Sequence, residues 1–278
     1  MSSNKITILD ITGKKKGENR ITALSLHDYS WARIVDKTDV DIVLVGDSVG
    51  TTLLGYETTL PVTMEDMVRH TSAVKRGISK AMLVADMPFM SYQISIESAI
   101  ENAGRLLKEG GAEAVKLEGG EEMYDTIEAL DEMGIPVMGH VGLTPQSVHK
   151  FGGYRVQGKK RLEAKDIIES AIAVEEAGAF AIVLEGIPME VGKEITNRLS
   201  IPTIGIGAGP DCDGQILVIQ DLLGLGGDFK PKFVKQYADL ESIALEAIES
   251  YIDEVKKGVF PTEETSYKIE QGHLRSVT

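Results

Sequence analysis

The sequence predicts a (β/α)8 barrel, and three observations support this fold class. Eight short apolar runs are rich in Val, Ile and Leu with little alternation, as expected of parallel strands that are covered on both faces. Helical patterns separate most of the runs. The alternation extends over about 250 residues, the usual size of such a barrel. The main alternative is an open doubly wound sheet, and we favour the barrel.

The predicted elements follow in chain order. The strands are expected at 21–26, 41–45, 82–85, 113–117, 135–139, 180–184, 203–206 and 215–219. The helices are expected at 63–76, 95–108, 121–133, 163–177, 189–199 and 237–257. Thr63 followed by Asp66 is a capping-box pattern, and Gly110, Gly134 and Gly178 stand where helices commonly end. The connection between the last two strands is short and rich in glycine, with room for no more than a turn of helix.

Composition narrows the function classes. With 29 Lys and Arg against 43 Asp and Glu, the net charge of −14 disfavours binding to nucleic acid or to anionic membranes. One cysteine excludes a disulfide framework and a Cys-rich zinc site. The chain has no apolar run long enough to span a membrane and no secretory signal pattern. We expect a cytoplasmic enzyme of small molecules, with residues 1–278 forming one barrel domain that has a polar N-terminal lead and a C-terminal helix and tail.

Polar residues follow five consecutive predicted strands. They are Asp47 and Ser48, Asp86, Lys116 and Glu118, His140, and Glu185. A single acid after a strand is commonly a helix cap or a solvated loop residue. Because the carboxyl ends of barrel strands surround one mouth, where the active sites of such barrels lie, we expect these side chains to converge.

The fourth predicted strand carries charge on one face. Alternation puts Lys116 and Glu118 on the face of Ala114, whereas Val115 and Leu117 share the other face. The apolar face must meet the helices, so the charged pair is expected to point into the barrel. Two interpretations stay open: a structural ion pair, or an oxygen ligand beside a cation that receives a carboxylate.

Three acids of this mouth suit a hard metal ion. Asp47, Asp86 and Glu118 supply carboxylates without cysteine or clustered histidine, which favours Mg²⁺ with open positions for substrate oxygens. Zinc is disfavoured because His140 and His149 lie far apart in sequence. Glu185 ends a different strand, and an apolar-walled mouth can raise the pKa of a carboxylate and make it a general base.

Two further motifs deserve an interpretation. GDSVG at 46–50 fits the nucleophile-elbow pattern, with Ser48 as nucleophile and His140 or His273 as base. That motif needs a helix directly after the serine, whereas the β-prone, broken segment 51–55 follows, so a hydrolase is disfavoured. GIGAG at 205–209 resembles a phosphate loop, but Pro210 and the acids Asp211 and Asp213 favour a tight turn. Cys212 has no nearby cation in sequence and is expected to be a passive thiol.

Six long segments are distinctive: VGDSVGTTLLGYETTLPVTMEDMVRHTSAVKRG at 45–77, DMPFMSYQ at 86–93, KLEGG at 116–120, GHVGLTPQSVHKFGGYRVQG at 139–158, LEGIP at 184–188 and TIGIGAGPDCDGQILV at 203–218. In this order they resemble the ketopantoate hydroxymethyltransferase family, from about Ile6 to the C-terminal helix. The resemblance implies a barrel of the phosphoenolpyruvate/isocitrate lyase type. It also implies a cytoplasmic homo-oligomer, commonly a decamer built from dimers.

The resemblance also implies roles for the mouth residues. Mg²⁺ is expected on Asp47, Asp86 and Glu118, and the substrate on Asp47, Ser48, Asp86 and Lys116. His140 is expected near the reacting end of the substrate, and Glu185 is expected to be the proton acceptor. The implied reaction transfers a hydroxymethyl group from 5,10-methylenetetrahydrofolate, or a related pterin, to 3-methyl-2-oxobutanoate. It gives 2-dehydropantoate, a precursor of pantothenate and coenzyme A, through a Mg²⁺-stabilised enolate.

The sequence departs from the family at two places. Ser25-Leu26-His27-Asp28-Tyr29 stands where the family usually reads Thr-Ala-Tyr-Asp-Tyr, so His27 replaces a phenol, and the tail after Pro261 matches poorly. Two alternatives to the transferase remain: a Mg²⁺-dependent carbon–carbon lyase that needs no folate, and a non-catalytic barrel that serves as a binding protein. Loss of the acidic ligands would indicate the latter, and all of them are present.

Overall fold

Eight parallel strands close into a barrel in chain order in a computed structural model that describes residues 5–15, 17–227 and 230–269. The strands are β1 Ile21–Ser25, β2 Ile42–Val45, β3 Met82–Asp86, β4 Ala114–Lys116, β5 Val137–Gly142, β6 Ala181–Glu185, β7 Thr203–Ile206 and β8 Gly214–Val218. β8 pairs with β1 in parallel and completes the closure. The predicted (β/α)8 barrel is confirmed, whereas the assignment of all of 1–278 to one domain stays a prediction.

The helices of the described residues are α1 Ile8–Thr12, α2 Tyr29–Val35, α3 Val49–Thr52, α4 Met64–Lys75, α5 Ile96–Arg105, α6 Tyr124–Glu132, α7 Val148–Phe151, α8 Arg161–Glu176, α9 Met189–Arg198, α10 Ile219–Leu223 and α11 Leu240–Lys257. A π-helical turn, Leu106–Gly110, extends α5, and 3₁₀ turns cover Glu121–Met123 and Pro145–Ser147. The predicted capping box of α4 is present, with the Asp66 backbone N–H on Thr63 Oγ1 at 3.2 Å.

The sequence interpretation missed α1, α2, α3, α7 and α10. Four of these have five residues or fewer, which is too short for a helical period to show. α2 has a sequence signal that was overlooked, because the Asp28 side chain accepts hydrogen bonds from the backbone N–H groups of Ser30 and Trp31. The connection between β7 and β8 is short and contains no helix, within the predicted limit of one helical turn.

The strands separate two apolar layers. Val115 and Leu117 are fully buried and belong to the layer between strands and helices. Ala114 belongs to the inner layer, with Val84 of β3 and Met138 of β5. This confirms the facial assignment of β4, so Lys116, two residues after Ala114, projects toward the barrel interior.

The amino end of the barrel is closed by the N-terminal segment. Ile11 of α1 is fully buried in the inner apolar layer. Lys15 Nζ lies 2.8 Å from Asp213 Oδ2, and the same oxygen accepts the backbone N–H of Thr203 at 2.9 Å. The carboxyl end is therefore the end that can admit a ligand.

The turn between β7 and β8 agrees with its sequence interpretation. Gly207 and Gly209 have φ values of 67° and 90°, a backbone region that favours glycine, and they make a tight turn. Cys212 in this turn is buried, and burial raises the pKa of its thiol. It is therefore a passive thiol, as expected.

The long helix α11 lies on the surface. None of its residues is buried, and Ile243, Ile248 and Tyr251 are 60%, 56% and 57% exposed. Among the described residues, no helix combines the length and the apolar character that crossing a membrane requires.

Candidate active site

The polar residues predicted at the strand ends meet at the carboxyl end of the barrel. Asp86, Lys116 and Glu185 are the last residues of β3, β4 and β6, and His140 lies inside β5. Asp47 and Glu118 each follow the end of their strand by two residues. The contacts described below connect Asp47, Asp86, Lys116, Glu118, His140 and Glu185 into one cluster. Its position agrees with the sequence expectation, and the roles of its members remain predictions.

Asp47 and Asp86 form one side of this cluster. Asp86 Oδ2 accepts the backbone N–H of Asp47 at 2.9 Å, and both residues are almost completely buried. The position directly before Asp47 favours glycine, since a Cβ on Gly46 would lie 2.9 Å from Ser48 Oγ and 3.4 Å from Asp86 Oδ2. Burial raises the pKa of Asp47, and burial together with the Asp47 charge raises the pKa of Asp86 to about 7 against the opposing effect of Lys116.

Lys116 bridges Asp86 and His140. Lys116 Nζ lies 3.2 Å from Asp86 Oδ1 and 3.1 Å from His140 Nδ1. Burial alone would lower the pKa of Lys116, but the charges of Asp86, Glu118 and Asp47 outweigh it and raise the pKa. The ammonium therefore keeps its protons, and because it can only donate, His140 Nδ1 is the acceptor. The closest carboxylate partner of Lys116 is Asp86, not the Glu118 with which the sequence paired it.

His140 carries its single ring proton on Nε2. Burial, followed by the charge of Lys116, holds the pKa of His140 well below its ordinary value, so the ring is neutral. With Nδ1 accepting from Lys116, the proton of the neutral ring must be on Nε2. Nε2 lies 3.2 Å from Glu185 Oε2, a short contact that is not yet a well-aligned hydrogen bond. Catalytic hydrogen bonds are often looser before a ligand binds.

Glu185 is the most accessible acid of the cluster. Its side chain is 16% exposed, against 4% for the side chains of Asp86 and Glu118. Burial raises the pKa of Glu185 to about 7, even though Lys116 acts to lower it. A carboxyl group that is open to the mouth and titrates near neutrality can exchange a proton with a ligand.

Gln146 was missed by the sequence interpretation. It lies in the 3₁₀ turn after β5, donates from its backbone N–H to Glu118 Oε2 at 3.0 Å, and donates from Nε2 to Asp47 Oδ2 at 2.9 Å. One signal could have found it: an uncharged amide within six residues of His140, on the loop that leaves the same strand end. The amide thus joins two of the three predicted metal ligands.

Ser48 has His27 as its partner. Ser48 Oγ lies 3.2 Å from His27 Nε2 and 3.4 Å from Ser25 Oγ, and Thr52 Oγ1 lies 3.5 Å from His27 Nδ1. His27 is fully buried, and burial lowers its pKa to about 3. The unusual histidine of this chain therefore supplies a neutral ring beside the predicted substrate residue.

The short helix α3 begins at Val49, directly after Ser48, so the predicted β-prone, broken segment at this place was wrong. The contacts still do not assemble the predicted hydrolase site. His140 faces Lys116 and Glu185, and His273 lies outside the described residues. The ring nitrogen of His27 that faces away from Ser48 contacts a hydroxyl, so the described residues give this pair no orienting carboxylate.

Comparison with known proteins places the chain in one family. The model of the family described as ketopantoate hydroxymethyltransferase matches residues 5–263. A 3-methyl-2-oxobutanoate hydroxymethyltransferase of Geobacter sulfurreducens is 58% identical over 261 residues, which cover 94% of this chain and 98% of that protein. The enzyme of the same name from Clostridium beijerinckii is 54% identical over 273 residues, covering 98% of this chain and 99% of that protein.

Solved structures share the fold at low identity. A phosphonopyruvate hydrolase in complex with oxalate and Mg²⁺ has a TM-score of 0.61 and 13% identity, with 98% of this chain and 97% of that chain covered. A 2,3-dimethylmalate lyase, described as a PEP mutase/isocitrate lyase superfamily member, has a TM-score of 0.57 and 12% identity, with coverages of 98% and 94%. These structures confirm the type of barrel expected from the sequence. The family match over residues 5–263 and the relatives at 58% and 54% identity show that the chain is an enzyme of the ketopantoate hydroxymethyltransferase family.

Proposed function

We propose that this enzyme transfers a hydroxymethyl group to 3-methyl-2-oxobutanoate and so forms 2-dehydropantoate for pantothenate and coenzyme A biosynthesis in the cytoplasm. The name shared by relatives at 54% and 58% identity supports this reaction. The observation that carries the proposal is Glu185, an accessible carboxyl group with a pKa raised to about 7 at the edge of a buried acidic cluster. Such a group can remove the C3 proton of the keto acid.

The charges of the cluster fit a divalent cation. Asp47, Asp86, Glu118 and Glu185 supply four carboxyl groups against the single ammonium of Lys116, which lies 3.2 Å from Asp86 Oδ1. Within the described ranges, no three Asp, Glu, His or Cys side chains already surround a common metal position. Mg²⁺ commonly binds through one or two carboxylates and takes its other ligands from water and substrate.

On this basis we assign Mg²⁺ to Asp47, Asp86 and Glu118. When bound, Mg²⁺ would supply a Lewis acid for the keto oxygen and stabilise the enolate. The protein's own part is to keep these three carboxyl groups buried together at the carboxyl end of the barrel. A bound cation would oppose the burial and the Asp47 charge that together raise the pKa of Asp86.

Lys116 and Ser48 are proposed to bind the carboxylate of the keto acid. Lys116 is buried at the end of β4 and holds its charge, so it offers a fixed cation to an incoming anion. Ser48 Oγ adds a hydroxyl beside His27. Glu185 would then take the C3 proton on its Oε1 atom, because its Oε2 atom faces His140.

The one-carbon donor is proposed to be 5,10-methylenetetrahydrofolate or a related pterin. Apolar side chains on the loops after β3 and β5 support a flat ring at the rim: Phe89, Met90 and Tyr154 are 38%, 48% and 50% exposed. Burial and then the charges of Asp47 and Glu185 raise the pKa of the Tyr154 phenol. A ring stacked there would stand above the keto acid.

The assembly is proposed to be a homo-oligomer, a decamer built from dimers by family resemblance. The uncovered apolar side chains of α11 support association, because a single chain leaves them in water. Size-exclusion chromatography with light scattering tests this directly. A monomer at micromolar concentration would contradict the proposal.

One experiment tests the reaction itself. The purified enzyme is incubated with 3-methyl-2-oxobutanoate, 5,10-methylenetetrahydrofolate and Mg²⁺, and the products are analysed by mass spectrometry with and without EDTA. We expect a product heavier than the keto acid by one hydroxymethyl group, formed only with the folate and only without EDTA. In a parallel assay with larger 2-keto and 2-hydroxy acids, cleavage without folate would instead support the carbon–carbon lyase. The absence of turnover in both assays would support the binding protein.

A further inference from the structure

Gln146 makes the most extensive set of buried contacts beside the acidic cluster. The residue is 7% exposed, and its Nε2 atom donates to Asp47 Oδ2 at 2.9 Å and to the backbone oxygen of Met87 at 3.0 Å. Because the backbone carbonyl of Met87 can only accept, the amino group of the amide must face it. The orientation of the amide is therefore fixed by its surroundings.

The other end of the amide is held equally firmly. Gln146 Oε1 accepts the phenol proton of Tyr92 at 2.7 Å and a proton from Gln93 Nε2 at 3.2 Å. Tyr92 is 1% exposed, and its hydroxyl oxygen also accepts the backbone N–H of Glu118 at 3.1 Å. A side chain with four such contacts cannot rotate without leaving buried polar groups unpaired.

Gln146 thus places one N–H on each of two acids from different strands. Its Nε2 contacts Asp47 after β2, and its backbone N–H contacts Glu118 after β4 at 3.0 Å. Each contact occupies one carboxylate oxygen. Two buried carboxylates repel each other and would turn apart or take up protons if they were left alone, and the two N–H groups oppose both changes.

We propose that Gln146 is a positioning residue, which orients the carboxylates of Asp47 and Glu118 toward the divalent cation and the keto acid. This inference rests on the proposed function. The competing interpretation is that Gln146 only fastens the loop after β5 to the barrel. The two interpretations predict different effects of replacing Gln146. A positioning residue should change the affinity for the cation and the keto acid in a protein that is still folded, whereas a residue that only fastens the loop should change stability alone.

The test compares Gln146→Leu with a matched control, Thr196→Val. Thr196 is also buried, and its hydroxyl contacts Gly192 O and Thr203 Oγ1 at 2.8 Å each near the amino end of the barrel, so its replacement removes buried hydrogen bonds away from the mouth. The dissociation constants of Mn²⁺ alone, and of 3-methyl-2-oxobutanoate with Mn²⁺, are measured by titration calorimetry. The thermal midpoint of each variant is measured by circular dichroism.

We expect Gln146→Leu to weaken Mn²⁺ binding by roughly 10- to 100-fold, the usual effect of removing a group that orients a metal ligand. Thr196→Val should lower the thermal midpoint and leave both dissociation constants unchanged. If Gln146→Leu does not fold, Gln146→Asn serves instead. The shorter amide can still hydrogen-bond to Tyr92 or to Met87, but it cannot reach Tyr92, Met87 and Asp47 at the same time.

Two outcomes overturn the inference: a folded Gln146 variant with wild-type affinity for Mn²⁺ and keto acid, or a wild-type enzyme that binds no Mn²⁺. A different result separates the inference from the proposed function. If the wild type binds Mn²⁺ and Gln146→Leu weakens that binding, but neither protein acts on the keto acid, Gln146 keeps its role and the proposed function fails.

Discussion

His140 Nε2 lies 3.2 Å from Glu185 Oε2, and His140 Nδ1 accepts a hydrogen bond from the ammonium of Lys116. This second contact places the ring proton of His140 on Nε2. The neutral ring turns its N–H toward the carboxylate that is open to the mouth. A donor in that position favours the ionised form of Glu185, and it leaves the second oxygen of Glu185 to receive a proton.

The first prediction concerns Glu185→Gln, which keeps the shape of the side chain and removes the base. In D₂O with Mg²⁺ and 3-methyl-2-oxobutanoate alone, the wild type should exchange the C3 proton, because enolisation precedes attack on the one-carbon donor. The variant should exchange at least about 100-fold more slowly, within the usual contribution of a general base. Proton NMR measures this directly, since deuterium at C3 collapses the methyl doublet.

Binding should survive that change. The dissociation constants of Mg²⁺ and of the keto acid should stay within a few-fold of wild type in Glu185→Gln, because the base is not assigned to the metal. Exchange as fast as in wild type would remove Glu185 from the mechanism and make His140 the next candidate.

The second prediction is the pH dependence of this exchange. The base acts when ionised, and burial raises the pKa of Glu185 to about 7, so the rate should rise with pH and level off above about pH 7. His140→Phe removes the N–H that faces Glu185 and should move the rise to higher pH, since the ionised form loses a favourable contact. His149→Gln is the control, because His149 is exposed and should leave the profile unchanged. A profile that is flat from pH 5 to 9 in the wild type would contradict the assignment.

Much of this site could be predicted from the sequence because barrel geometry is regular. Parallel strands bring their carboxyl ends to one edge, so acids after β2, β3, β4 and β6 had to converge once the strands were recognised. Alternation within β4 then gave the direction of Lys116. These inferences need only local patterns and the strand order.

The pairings inside the site needed the three-dimensional structure. Lys116 contacts Asp86 of the neighbouring strand at 3.2 Å, because paired residues of adjacent strands are closer than the next residue on the same face. His27 reaches Ser48, and Gln146 reaches Asp47, from loops whose paths depend on tertiary packing. Periodicity carries no information about such loops, and the one-turn helix after Ser48 was missed for the same reason.

The third prediction tests Lys116 against a buried ion pair at the opposite end of the barrel. Lys116→Ala should weaken keto acid binding by roughly 30-fold or more, because it removes a desolvated cation that faces the substrate carboxylate. Lys15→Ala breaks the ion pair of Lys15 with Asp213, whose atoms are 2.8 Å apart, and should cost stability without changing keto acid affinity. Calorimetric titration of both variants makes the comparison. If Lys116→Ala bound the keto acid as tightly as the wild type and Lys15→Ala do, Lys116 would be a structural ion-pair residue.

The fourth prediction concerns metal removal. Activity should be lost after dialysis against EDTA and should return with Mg²⁺, and with Mn²⁺ or Co²⁺, because the cluster offers oxygen ligands and no thiolate. Asp47→Ala and Asp86→Ala should each weaken the cation and the keto acid together, since both ligands are assigned to one centre. Asp213→Asn is the matched control, because it alters a buried carboxylate at the amino end of the barrel. Cation affinity measured by calorimetry should fall in the first two variants and stay unchanged in the third. Full turnover in excess EDTA would contradict the metal assignment. The buried carboxyl groups would then have to bind the keto acid without a cation, and protonation would have to neutralise the excess negative charge of the cluster.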